Sequence, residues 1–281
     1  MRKIIFAVIC LFIVCAPGFT EEEKEAWRIA LDNDDPAFLN FIDDIHHRDN
    51  HDRTPLHSAA KRGKYNIAKA LIEKGADIHA VDMALRTPLH FAASQGQVKV
   101  AKLLIEKGAK VDARGGISAV SGRKHKHTPL HEACYSGRFK MVKLLAEHGA
   151  VVNARNYEDS MPIHMAARKG SLEIVQFLIE KGAEVNVKES YRGETPLHKA
   201  MGRNLKIMEV LIANGANPFI KNNKGETPYE YAVRVHLPKI AEYLKQAEKD
   251  YKAKQKIEKK EQKAKRKAED KQNKQWWEFW K

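Results

Sequence analysis

The sequence predicts an all-α repeat solenoid: short helical hairpins stacked side by side, closed by degenerate units at both ends and followed by a basic helical tail. Three observations carry that expectation. A tetrapeptide recurs at Thr54-Pro55-Leu56-His57, Thr87-Pro88-Leu89-His90, Thr128-Pro129-Leu130-His131, Met161-Pro162-Ile163-His164 and Thr195-Pro196-Leu197-His198, with Thr227-Pro228-Tyr229 as a partial copy. Its spacings are 33, 41, 33, 34 and 32 residues. A glycine–alanine pair keeps step with it at Gly75-Ala76, Gly108-Ala109, Gly149-Ala150, Gly182-Ala183 and Gly215-Ala216. An apolar stretch of helical character precedes each pair, as at 101–105 and 174–179.

Each element follows from residue chemistry. Thr at an N-cap accepts from the amides of the first turn, and Pro at the first helical position has no amide to leave unpaired. A first helix then runs to a turn at Gly63 or Gly96, and a longer second helix runs to the glycine of each Gly-Ala pair, a residue suited to a left-handed stop. A polar finger leads to the next cap. No unit has enough apolar surface to fold alone, so neighbours must share one continuous core. The end units should be atypical. Residues 25–45 carry a helical pattern (Trp27, Ala30, Leu31, Phe38, Leu39, Ile42) without the Thr-Pro start, and 227–244 supply the other cap.

This pattern closely resembles the ankyrin repeat family, over about 220 of the 281 residues and about seven repeats including caps. The resemblance implies helix-turn-helix units joined by β-turn fingers, with each repeated His bonded to backbone between neighbouring repeats. It also implies partner binding through the fingertips and the exposed ends of the first helices, which together line a concave face. Carried over, those positions are Lys61, Arg62, Ser94, Gln95, Tyr135, Ser136, Arg168 and Lys169 on the helices. The fingertips supply Arg86, Lys124, His125, Tyr157, Glu158, Tyr191, Arg192, Asn223 and Lys224. Arg and Tyr are favoured at binding hot spots and Lys steers association, so the expected partner is another, acidic protein, or else an anionic polymer. The bland alternative is a solvated face on a Lys-rich protein.

The spacings of 41 and 32 depart from the period. The value of 41 places eight extra residues in one finger, within 115–127, a stretch that is Gly-rich first and basic after. It is either a neutral insertion or a contact loop. The value of 32 points to a deletion between helices near Gly202. No catalytic motif is present: His131-Glu132 lacks the second His of a zincin, and 116–120 ends in Val where a nucleophile elbow needs Gly. Neither an enzyme nor a cofactor is expected. The repeated His residues are about 33 apart and share no ligand set, so no metal is expected there. His125 and His127 are the better metal candidates, and Cys134 reads as a small core residue.

Both ends differ from the body. The formal net charge is +14, yet 245–281 alone hold 14 basic and 7 acidic residues. At 43% hydrophobic the chain is no disordered polymer, and its 16 Gly exclude collagen. Arg2 and Lys3 precede an apolar run at 4–16, too short to span a bilayer and followed by Ala16-Pro17-Gly18. That describes a secretory signal peptide, 1–18, with export to a bacterial periplasm or the medium; an uncleaved anchor, a buried first helix and lipidation at Cys15 are the alternatives. The repeat body then occupies 19–246 and the tail 247–281. The tail is rich in helix formers and ends in Trp276, Trp277, Phe279 and Trp280, which suits a membrane interface or a partner contact. Three functions compete: an exported monomeric adaptor or inhibitor of an acidic protein, a membrane- or envelope-associated scaffold held by the tail, and a nucleic-acid binder. The last is disfavoured by export and by aromatics gathered at one end.

Overall fold

The computed structural model describes residues 29–41, 44–117, 124–202 and 204–280. The expected signal segment, Trp27, Ile42 and the centre of the insertion lie outside the described residues, as do the side chains of Phe38, Lys124, His125 and Phe279.

After a 3-10 helix at Pro36–Phe41 the units follow in order. The first helices are α1 (Pro55–Arg62), α3 (Pro88–Gln95), α5 (Pro129–Ser136), α7 (Pro162–Lys169), α9 (Pro196–Lys199) and α11 (Pro228–Arg234). The second helices are α2 (Tyr65–Glu73), α4 (Val98–Glu106), α6 (Phe139–Glu147), α8 (Leu172–Glu180), α10 (Leu205–Ala213) and the long α12 (Pro238–Phe279). Each first helix starts after an extended cap residue with Pro at its first position, Met161 filling the place that Thr holds elsewhere. α1, α3, α5 and α7 end at glycines with φ between 70 and 85°.

First helices pack on first helices and second helices on second helices, which makes two layers with one core between them. Leu56, Leu89, Leu130, Ile163 and Leu197, the third residue of each tetrapeptide, are all buried. Facing them are Leu71, Leu104, Leu145, Leu178 and Leu211 from the second helices. At the N-terminal end Ala30, Leu31 and Leu39 close this core, and the Asp34 carboxylate accepts from the amides of Asn66 (2.9 Å) and Ile67 (3.1 Å), satisfying the open first turn of α2. Cys134 is fully buried and burial pushes its thiol well above the ordinary range, so it is a packing residue.

The insertion keeps some order. Its arms form an antiparallel ribbon, β1 (Gly115–Ile117) with β2 (Lys124–His127), in the register Gly115↔His127 and Ile117↔Lys124. The Gly116 amide also bonds the Ala84 carbonyl of the preceding finger at 2.6 Å. The Gly-rich start of the insertion is thus stitched to the finger array at its base. At the other end α12 runs without a break from the last unit into the tail: Ala241, Leu244 and Ala247 are buried, and Tyr251 lies against Phe219 with ring centres 6.0 Å apart. No described helix is long and apolar enough to cross a membrane.

Candidate partner-binding face

The fingers and first helices share one side of the molecule, and a spine of histidines holds them together. In each of four units the Nδ1 of the tetrapeptide His accepts from the cap amide while Nε2 donates to a carbonyl of the next finger. These are His57 to Arg86, His90 to His127 and His131 to Ser160, each at 3.0 Å, and His198 to Glu226 at 3.3 Å. His164 alone reaches further back, to the Val187 carbonyl. Burial drives these rings toward the neutral form: His57 and His164 titrate at about 4 and His131 at about 3. Both nitrogens of each ring are engaged, which gives the motif its structural role. Among the described residues no three His, Cys, Asp or Glu side chains are grouped to hold a metal.

The fingers are built on a second device. Asp82 accepts from the amides of Ala84 (2.9 Å) and Arg86 (2.8 Å), and Asn156 and Asn222 close their own turns the same way. The other Asp82 oxygen takes the Arg86 guanidinium at 2.7 Å, so Arg86 is committed within its finger. Arg86 also covers the Phe91 ring at 4.4 Å. Similar pairs continue along the face: Arg168 over Tyr135 (4.8 Å), Arg192 over Tyr191 (5.8 Å) and Arg234 over Tyr231 (4.8 Å).

The structure places the expected residues as follows. Arg62, Tyr135, Tyr157, Arg168, Lys169, Tyr191 and Arg192 are exposed on the finger side, while Lys61 and Arg86 are half-buried. Lys61 stands in a cationic corner: partial burial, then the charges of Arg53, Arg62 and Arg86, hold its ammonium below the usual lysine range. Further along the face the charges are mixed. Glu132 accepts from or pairs with His127 at 3.0 Å, and His127 stacks on His131 with ring centres 5.4 Å apart. Burial raises the Glu132 carboxyl, yet the bond and charge of His127 outweigh it and leave the group below its ordinary value.

The fifth finger is where sequence reasoning fell short. Lys199 is almost enclosed and bonds both Glu189 (2.6 Å) and Glu194 (2.7 Å). Glu189 stands where the other fingers carry Asp or Asn, and its longer side chain reaches this lysine. The spacing of 34 into Thr195 was the available signal, since it adds one residue to this finger.

Comparison with known proteins agrees with this architecture. The family model described as "Ankyrin repeats (3 copies)" matches residues 26–115, 117–189 and 163–255. No curated protein matches the chain. The family match covers well over half of the sequence and follows the stacked units from the first cap into α12, so the chain belongs to the ankyrin repeat family, whose members generally serve as non-enzymatic interaction domains.

Proposed function

We propose that this protein is an exported interaction module that grips an acidic partner protein through its finger face, serving as an adaptor or an inhibitor in a bacterial periplasm or outside the cell. One observation carries the reading: large exposed side chains gather on the finger side. Met83, Tyr135, Tyr157 and Tyr191 are each more than half exposed there, whereas among the described residues α2, α4, α6, α8 and α10 contribute only Leu205 at 37%. Exposed aromatics beside arginines are the composition of binding hot spots, and the cationic corner around Lys61 adds long-range attraction for acidic surfaces. Binding of the partner should weaken markedly between 0.1 and 0.5 M salt, by the screening that shortens the Debye length to a few ångströms. Affinity undiminished at 0.5 M would refute the electrostatic part. N-terminal sequencing of the product recovered outside the cytoplasm tests export, with a start after Gly18 expected.

A second reading concerns the tail, because Trp276, Trp277 and Trp280 stand exposed at the end of a basic helix. Residues 252–281 hold 12 basic and 5 acidic side chains. That combination favours an anionic bilayer surface, where indoles settle at headgroup depth. Truncation after Glu258 keeps the part of α12 that meets Phe219 and Ile212. It should abolish sedimentation with phosphatidylglycerol vesicles and leave partner binding intact; unchanged sedimentation removes this reading.

A further inference from the structure

Two irregularities meet in one place. In the fifth finger the Glu189 amide bonds the Glu194 carbonyl, five residues on, whereas Asp82 reaches Arg86 and Asn222 reaches Glu226, four on. The helix that follows, α9, is four residues long where α7 has eight. Together they open a recess of about 500 Å³ against α7, walled by Met165, Arg168, Tyr191, Met201 and Tyr231. A second recess of about 510 Å³ lies on the other side of the same finger, between Arg192, Lys224, Tyr231 and Arg234. Tyr191 and Arg192 form the crest between them, and volumes of this size suit side chains or small ligands.

The crest is held before any partner arrives. Asn223 donates its backbone amide to the Arg192 carbonyl (2.8 Å) and its side-chain amide to the carbonyls of Ser190 (3.0 Å) and Tyr191 (3.3 Å). Gly193, at φ 66°, has no room for a side chain, since a Cβ would lie 2.2 Å from the Asn223 Oδ1. A backbone fixed in this way loses little freedom on binding. Glu158 lines the first recess, and the other carboxylates around the crest are neutralised by cations. Glu189 and Glu194 are both bound to Lys199 in the floor, and Glu226 is bound to Arg234. Arg168, Arg192 and Lys224 are exposed and pair with no carboxylate among the described residues.

We propose that this crest and its two hollows dock an extended segment of the partner carrying an acidic side chain beside an aromatic or large aliphatic one. The carboxylate meets Arg192 with Arg168 or Lys224, and the apolar side chain enters a hollow against Met165, Met201 or Tyr231. The inference rests on the finger-face reading and gives it a location. The test is selection of phage-displayed random peptides on the immobilised full chain, followed by affinity measurement of the enriched peptides. Peptides with Asp or Glu next to an aromatic or aliphatic residue are expected, bound at least tenfold more weakly by R192E and Y191A and unaffected by K102E and K143E on the second helices. Enrichment of basic peptides, no enrichment, or insensitivity to R192E and Y191A would overturn it. Peptides that respond to R62E but not to R192E would leave the finger-face reading standing and sink only this site. Peptides that respond only to K102E or K143E would sink both.

Discussion

The second helices and the fingers are repeated equally often, yet they diverge in opposite ways. On the second helices one charge pair is written three times at the same place: Lys69–Glu73, Lys102–Glu106 and Lys143–Glu147, at 3.8 to 3.9 Å. On the finger side the units change along the array, from basic to acidic. The residue before each helix cap runs Arg53, Arg86, His127, Ser160, Glu194, Glu226. Repetition marks the surface that only has to face water, and variation marks the surface that can discriminate.

Four experiments sharpen or break that contrast. Acid should have the largest effect, because the histidine spine lies under the finger side. His57, His131 and His164 are neutral in the fold but charge near pH 6.5 once unfolded, so their contribution is complete above about 6.5 and drains away as pH falls toward 4. Each ring adds a slope approaching ~1.4 kcal/mol per pH unit in that window. Urea midpoints recorded from pH 7.5 to 4 should fall steeply, and a flat profile would contradict the spine. Lys199→Ala should come next, at about 3–5 kcal/mol, since it leaves two enclosed carboxylates facing each other. Adding Glu189→Gln and Glu194→Gln should recover most of that loss in the same urea titration. Gly193→Ala should cost about 1–3 kcal/mol through its left-handed backbone and the contact with Asn223, seen as a lower melting temperature. Lys102→Ala, on the second-helix side, should change stability by less than ~0.5 kcal/mol, as exposed pairs do. A loss of 2 kcal/mol there would erase the distinction between the two faces.

Much of the scaffold was legible because it depends on local chemistry. Thr54, Thr87, Thr128, Met161, Thr195 and Thr227 all stand at the starts of the helices expected of them, and Gly63 and Gly96 end them; only the Thr195 and Thr227 hydroxyls accept a first-turn amide as expected, while those of Thr54, Thr87 and Thr128 meet the Nδ1 of His57, His90 and His131. The site was less legible because it depends on distances between units. Arg86 and Arg168 look alike in the sequence, yet one is bound by an aspartate four residues before it and the other is exposed over the tyrosine of a neighbouring unit. Glu189 and Lys199 gave no sign of meeting, being ten residues apart across a cap. Phe91 and Tyr231 entered the face unannounced for the same reason: their positions match Ser58 and Met165, which suggest no function.

The continuity of α12 has a mechanical consequence. From Lys259 to Phe279 it extends about 30 Å past the last packed turn, with no Gly or Pro to act as a joint. A pull or a twist at the tryptophan end therefore acts along one helix on Ala241, Leu244 and Ala247, the residues that seal the array. The rod that sets the tail's reach thus ends on the unit that closes the solenoid.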